Sequence, residues 1–164
     1  MDRQTPAQLY CTLAGGVLVI AGIVGFFYSS GFDTGASGVA NDTDKIFGIF
    51  GANGWGNVIC IVWGLIALAC ARSASRSFAL GFGLYALVIA IIGFINSGDS
   101  TFGLFAANTA DNVLDLALGL TGLAAGAASP SPARKPRRER TKRSDKPRRE
   151  RPKKDEPAEK PATT

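Results

Sequence analysis

Long apolar runs separated by short polar stretches dominate the first 128 residues of this chain. Residues 9–28 and 78–95 carry no charged side chain at all, and two further runs have a similar length. A helix of about 20 apolar residues crosses roughly 30 Å of hydrocarbon. The pattern therefore predicts four transmembrane helices, at about 9–28, 53–71, 78–95 and 109–128.

Part of this pattern occurs twice. Residues 46–69 align with residues 101–124 without a gap at an offset of 55, and eleven of the 24 aligned positions are identical. Upstream, Gly25-Phe26 matches Gly93-Phe94 at an offset of 68. The repeated unit is thus a helical hairpin, and both copies start on the same side of the membrane. We expect an all-α membrane domain over residues 1–128, built as a parallel repeat about an axis along the membrane normal.

The remaining residues, 129–164, have a different composition. They contain 14 Lys or Arg, six Asp or Glu and seven of the eight prolines, with almost no apolar side chains. Such a segment cannot bury enough apolar surface to fold, so a disordered basic tail is predicted. The tail either only keeps the chain soluble or binds anionic lipid head groups. Nucleic acid is the least favoured partner, because the tail offers no aromatic side chain on which bases could stack.

Basic residues also indicate the orientation of the helices. Arg3 precedes the first helix, and Arg72 and Arg76 lie in the loop between the second and third, whereas the other two loops are mainly acidic. The positive-inside rule therefore predicts a multi-pass protein of the plasma membrane with both termini in the cytoplasm. The lipid bilayer is the expected partner, and a homo-oligomer or another membrane protein remains open.

The candidates for chemistry are polar side chains inside the apolar runs, towards the external ends of the second and fourth helices. Asn53 and Asn108 stand where each helix starts and are predicted to be N-caps. Asp111 would complement the positive end of the fourth helix. Asn57 and Asn112 are expected to hydrogen-bond between helices. The candidate polar cluster comprises Asn57, Asp111, Asn112 and Asp115.

Asp115 leaves two alternatives open, because no basic residue is available at its depth. In one, it is protonated and hydrogen-bonded to Asn57 or to a backbone carbonyl. In the other, it belongs to a proton or cation site, since carboxylate and amide oxygens suit hard cations. The corresponding functions are an accessory or structural membrane protein, or a small transporter or ion-binding protein that uses the Asn/Asp cluster.

An enzyme is not expected, and neither is a catalytic residue, a bound metal or another cofactor. The chain contains no histidine and no recognisable nucleophile or cofactor motif. Its three cysteines are expected to pack as small apolar residues. The aromatic residues before the second and fourth helices are expected to anchor short, half-inserted segments at the membrane interface. They are Phe47, Phe50, Trp55, Phe102 and Phe105.

The four helices, the hairpin repeat and the Asn-rich entries to helices two and four resemble a family of small actinobacterial membrane proteins. That family is catalogued only as a domain of unknown function. The resemblance covers about residues 7–127, and its most specific stretch is Asn108-Thr109-Ala110-Asp111-Asn112-Val113-Leu114. The family's pattern often places histidine early in helices two and four. The corresponding positions here are Gly56, Cys60 and Asp115, so the resemblance implies a fold and a location but no histidine-based metal or haem site.

Overall fold

A computed structural model of the chain describes residues 3–35, 39, 44–96, 100–106 and 108–131. They belong to one compact unit, Met1–Pro132. The predicted basic tail lies outside the described residues from position 132 onward. The described part contains the four predicted helices, and two short β-hairpins that were not predicted. In chain order the elements are α1 (Pro6–Tyr28), β1 (Asp44–Ile46), β2 (Phe50–Ala52), α2 (Gly54–Cys70), α3 (Ser75–Ile95), β3 (Ser100–Thr101), β4 (Phe105–Ala106) and α4 (Thr109–Ala127).

Two helices begin earlier than their apolar runs. Helix α1 begins at Pro6 because Thr5 and Gln8 form a capping box, and proline is well tolerated in a first turn. Helix α3 begins at Ser75 rather than near residue 78, because its first turn accommodates the polar residues that precede the apolar run. Apolar length therefore gives the membrane-compatible core of a helix rather than its ends.

The aromatic segments before α2 and α4 are not helical, which corrects the all-α prediction. Each forms a two-stranded antiparallel hairpin, in which Ile46 pairs with Phe50 and Thr101 pairs with Phe105. In the first turn Phe47 and Gly48 both have positive φ, and in the second Phe102 and Gly103 do. Two consecutive residues of positive φ form the kind of tight turn that matches the twist of a β-hairpin.

Close helix contact within each repeat is made at glycines. A Cβ atom added to Gly15 would lie 2.9 Å from the carbonyl oxygen of Gly64, so α1 and α2 approach at their backbones. A Cβ added to Gly83 would lie 3.0 Å from the carbonyl oxygen of Gly119, and the same approach joins α3 to α4. The two crossings are related by the offsets of the sequence repeat, 68 for the first helix and 55 for the second. Small residues permit this packing.

The two repeats run in the same direction. The Cys11 thiol, near the start of α1, donates to the carbonyl oxygen of Ser75, the first residue of α3, at 3.5 Å. At the opposite end, the two β-hairpins contact each other. We call the end of the helices where α1 and α3 begin the terminal end. The opposite end, with the two β-hairpins, is the hairpin end.

The core between the repeats is small and the outer surface is apolar. Tyr10, Cys11, Phe78 and Phe82 are buried together, whereas many large apolar side chains point outward. Helices α1 and α3 are long and apolar enough to cross a membrane, and α2 is apolar but has 17 residues. By composition and length alone, the described residues thus contain two candidate spans.

Candidate functional site

The candidate polar residues form one layer near the hairpin end, at the starts of α2 and α4. Asn53 Oδ1 accepts from the backbone N–H of Gly56 at 2.9 Å and caps α2. Asn108 Oδ1 accepts from the N–H groups of Ala110 and Asp111 at 2.7 and 3.2 Å and caps α4. Both side chains therefore satisfy amide groups that a helix leaves unpaired at its start.

The donor atoms of the same two side chains cross between the repeats. Asn53 Nδ2 donates to the carbonyl oxygen of Leu104 at 2.7 Å, and Asn108 Nδ2 donates to that of Ile49 at 2.9 Å. Ile49 and Leu104 are the last turn residues of the two hairpins and are equivalent at the offset of 55. Each cap therefore ties its own helix to the hairpin of the other repeat. We call this pair of hydrogen bonds the asparagine clasp.

Asp111 strengthens the clasp on one side. Its Oδ2 atom accepts from the N–H of Asn108 at 3.1 Å, completing a capping box, and from the N–H of Gly51 in β2 at 3.0 Å. A carboxylate in the first turn also complements the positive end of the helix dipole. This side chain therefore joins α4 to the first hairpin.

Asn57 and Asn112 pack against glycines of the preceding helix. Asn57 Nδ2 donates to the carbonyl oxygen of Ser29, just beyond the end of α1, at 2.8 Å. Its Oδ1 atom occupies the space where Gly25 lacks a side chain, and Asn112 lies against Gly93 in the same way. Both asparagines are buried, so each repeat contains an equivalent asparagine–glycine contact.

Asp115 is placed differently from its neighbours. It is half-buried on α4, one turn after Asp111. The alternative in which Asp115 bonds to Asn57 or to a backbone carbonyl is not seen here: Asn57 Oδ1, the atom a protonated Asp115 would bond, lies against Gly25, and Asn57 Nδ2 donates to Ser29. Within the described ranges, the Asp115 carboxyl makes no hydrogen bond to another residue.

The polar side chains of this layer mainly connect parts of the same chain to one another, as in a structural contact. No buried side-chain oxygen or nitrogen of the described residues lacks a hydrogen-bond partner. Among those residues, no group of three or more His, Cys, Asp or Glu side chains is arranged to hold a metal ion.

Sequence reasoning did not identify the acceptors of the clasp, the carbonyls of Ile49 and Leu104. A backbone carbonyl carries no signature of its own in the sequence. The repeat offset did contain a signal, since equivalent side chains in the two copies, such as Asn53 and Asn108, can make the same contact in both directions. The Phe-Gly pairs at residues 47–48 and 102–103 were a further unused indication of two tight turns.

A model of the family described as a domain of unknown function (DUF4383) matches residues 8–128. The chain belongs to this family. The match runs from the first turn of α1 through both hairpins to the end of α4, and it ends before the basic tail. No curated protein and no solved structure matches the chain. The DUF4383 description names no activity.

Proposed function

We propose that this DUF4383 protein is a multi-pass protein of the cytoplasmic membrane, in which all four helices cross the bilayer and both termini face the cytoplasm. The observation that carries the proposal is the outer surface. Leu13, Ile20, Leu84 and Ile91 are each more than half exposed on helices that present few polar groups outward. An apolar surface this extensive is costly in water and suits a hydrocarbon surrounding.

The helix lengths agree with this proposal. The four helices have 23, 17, 21 and 19 residues. At about 1.5 Å per residue they extend roughly 26 to 35 Å, and the hydrocarbon core is about 30 Å thick. The shorter α2 packs against α1, and the more polar α4 packs against the more apolar α3.

The charges support the proposed orientation. Among the described residues, Arg3, Arg72 and Arg76 lie at the terminal end, whereas the acidic residues lie at or towards the hairpin end. The bias of Lys and Arg towards one side places that side in the cytoplasm. Extraction of membranes with alkaline carbonate tests integral insertion, and the full chain is expected to remain in the pellet. Release of the chain into the supernatant would contradict the proposal.

Within the membrane we propose an accessory or structural role rather than catalysis. The asparagine clasp and the Asp111 carboxyl are engaged with backbone groups of this same chain. Groups held in this way fix the two hairpins together and leave few donors for a substrate. The bilayer is the proposed partner, and the basic tail is proposed to add attraction to anionic head groups.

One observation favours a second candidate function, a small transporter or an ion- or proton-binding protein. The Asp115 carboxyl is half-buried on α4 and makes no hydrogen bond to the described residues. Acidic groups inside membrane proteins commonly mark ion or proton pathways. Uptake of Na⁺ or H⁺ by vesicles that contain the protein, compared with vesicles of the Asp115→Asn variant, separates this candidate from the structural role.

A further inference from the structure

The two repeats differ at the surfaces where they meet. On one side, Trp63 of α2 packs against three rings of α3, with centroid distances of 6.3 Å to Phe78, 5.3 Å to Phe82 and 5.0 Å to Tyr85. These four rings fill the space between α2 and α3. We call them the aromatic cluster.

The equivalent space on the other side, between α1 and α4, is open. At the repeat offsets, the four residues of the aromatic cluster correspond to Leu118, Tyr10, Ala14 and Val17. All four line a groove of about 450 Å³ between α1 and α4. Three of the four rings are thus replaced by aliphatic side chains, and a shallow groove lies at this surface.

The groove has no polar group free to recognise a polar ligand. The Tyr10 hydroxyl donates to the carbonyl oxygen of Leu118 at 2.9 Å, and the Thr121 hydroxyl donates to that of Ala117 at 2.6 Å. The remaining walls are apolar, and Leu13 and Val17 are 60% and 58% exposed. An occupant must therefore be apolar over the length of the groove.

The terminal end supplies polar groups next to the groove. A cavity of about 280 Å³ there is lined by Arg76 together with Thr5, Gln8 and several serines. It adjoins the groove, because Ser129 in its wall donates from Oγ to the carbonyl oxygen of Ala125, a groove residue, at 2.8 Å. Arg76 Nε donates to the carbonyl oxygen of Ser129 at 3.1 Å, and the acidic residues of the described ranges lie at or towards the hairpin end.

We infer that the groove between α1 and α4 is a binding site for a bilayer phospholipid, with an acyl chain in the groove and the phosphate group near Arg76. The inference rests on the proposed membrane insertion, which places hydrocarbon against the groove. An apolar groove matches the acyl chain of a phospholipid, and the adjoining cavity with Arg76 and hydroxyl groups matches its anionic phosphate. A second protein chain would need no phosphate-binding groups at this position.

The test uses the full chain reconstituted in vesicles of equal parts phosphatidylglycerol and phosphatidylcholine. The protein is extracted in a mild detergent, and native mass spectrometry counts the lipids that remain bound. Two variants introduce the ring that the other repeat carries at the equivalent position: Leu118→Trp corresponds to Trp63, and Val17→Tyr corresponds to Tyr85. Val17 is exposed, so we expect the fold to tolerate the larger side chain. Leu84→Trp, on an exposed position of α3 outside the groove, is the matched control.

Wild type and Leu84→Trp are expected to retain one phospholipid per chain, and both groove variants are expected to lose it. Equal lipid retention in all four proteins would overturn the inference. A lipid-free dimer that the groove variants abolish would also overturn it, because a second copy would then occupy the groove. Flotation of the vesicles reports insertion separately. Absence of the chain from floated vesicles would overturn the membrane proposal itself, whereas flotation with equal lipid retention overturns the lipid site alone.

Discussion

Asn53 and Asn108 occupy equivalent positions and perform the same two tasks in opposite directions. Each caps its own helix through Oδ1, and each donates from Nδ2 to the last turn residue of the other repeat's hairpin. The two repeats are therefore joined at the hairpin end by a reciprocal pair of hydrogen bonds.

This arrangement predicts that Asn53→Asp is destabilising even though aspartate is an equally good N-cap. The variant keeps the acceptor for Gly56 but removes the donor to Leu104, and a carboxylate then faces that carbonyl oxygen. We expect a loss of about 1–3 kcal/mol in the free energy of unfolding. Thermal unfolding of the detergent-solubilised protein measures it.

Two further variants test the interpretation. Asn108→Asp should also be destabilising, but by less, because its bond to Ile49 is exposed whereas Asn53 is buried. Thr5 caps α1 through a hydroxyl that accepts from the Gln8 N–H of the same helix. Thr5→Asp should therefore change the free energy of unfolding little. Destabilisation by Thr5→Asp equal to that of Asn53→Asp would attribute the effect to capping and would contradict a role for the clasp.

The turn residue Phe47 is predicted to be locally unfavourable. It has a φ of +52°, and side chains other than Asn, Asp and Gly are disfavoured there. Phe47→Asn creates an Asn-Gly pair, the sequence that such turns favour. We expect the free energy of unfolding in detergent to rise by up to about 1 kcal/mol. The exposed neighbour Ile49 serves as the control, and a gain of the same size from Ile49→Asn would refute the conformational argument.

The glycines of α1 are predicted to differ sharply in tolerance. A Cβ atom at Gly25 would collide with the Asn57 side chain, whereas one at Gly16 would meet no atom within 4 Å. Gly25→Ala should therefore cost about 1–3 kcal/mol or more, since overpacking forces a shift of α2. Gly16→Ala should be neutral or stabilising, because alanine is the better helix former. Comparable melting temperatures for the two variants would argue against the close packing of α1 on α2.

Asp115 provides the test of the structural role against the transport alternative. If the role is structural, Asp115→Asn should leave the melting temperature nearly unchanged, since asparagine has a similar size and Asp115 makes no hydrogen bond to the described residues. Addition of Na⁺, K⁺, Mg²⁺ or Ca²⁺ should then affect neither protein. A cation that raises the melting temperature of wild type but not of Asp115→Asn would establish an ion site and displace the structural role.

The hydrophobic pattern was sufficient to predict the four helices, because each apolar run is longer than any ordinary strand. It could not locate the hairpins, since the strands are two or three residues long and Phe47 adopts a conformation that its residue type disfavours. The sequence placed Asn53 and Asn108 at helix starts through their position before an apolar run. Their bonds to Leu104 and Ile49 depend on how the two repeats face each other, which no local pattern encodes. The groove was equally hidden, because it becomes visible only when Leu118 is compared with Trp63 in space.

The central claim, a parallel pair of membrane hairpins with the terminal end in the cytoplasm, is tested most directly by cysteine labelling in intact cells. The native cysteines are first replaced, and single cysteines are then placed at Phe47, Phe102 and Ser73, three exposed positions at the two turns and in the loop between α2 and α3. With a membrane-impermeant maleimide, we predict labelling at positions 47 and 102 in intact cells and labelling at position 73 only after lysis. Opposite accessibility of positions 47 and 102, or labelling of position 73 in intact cells, would contradict the account.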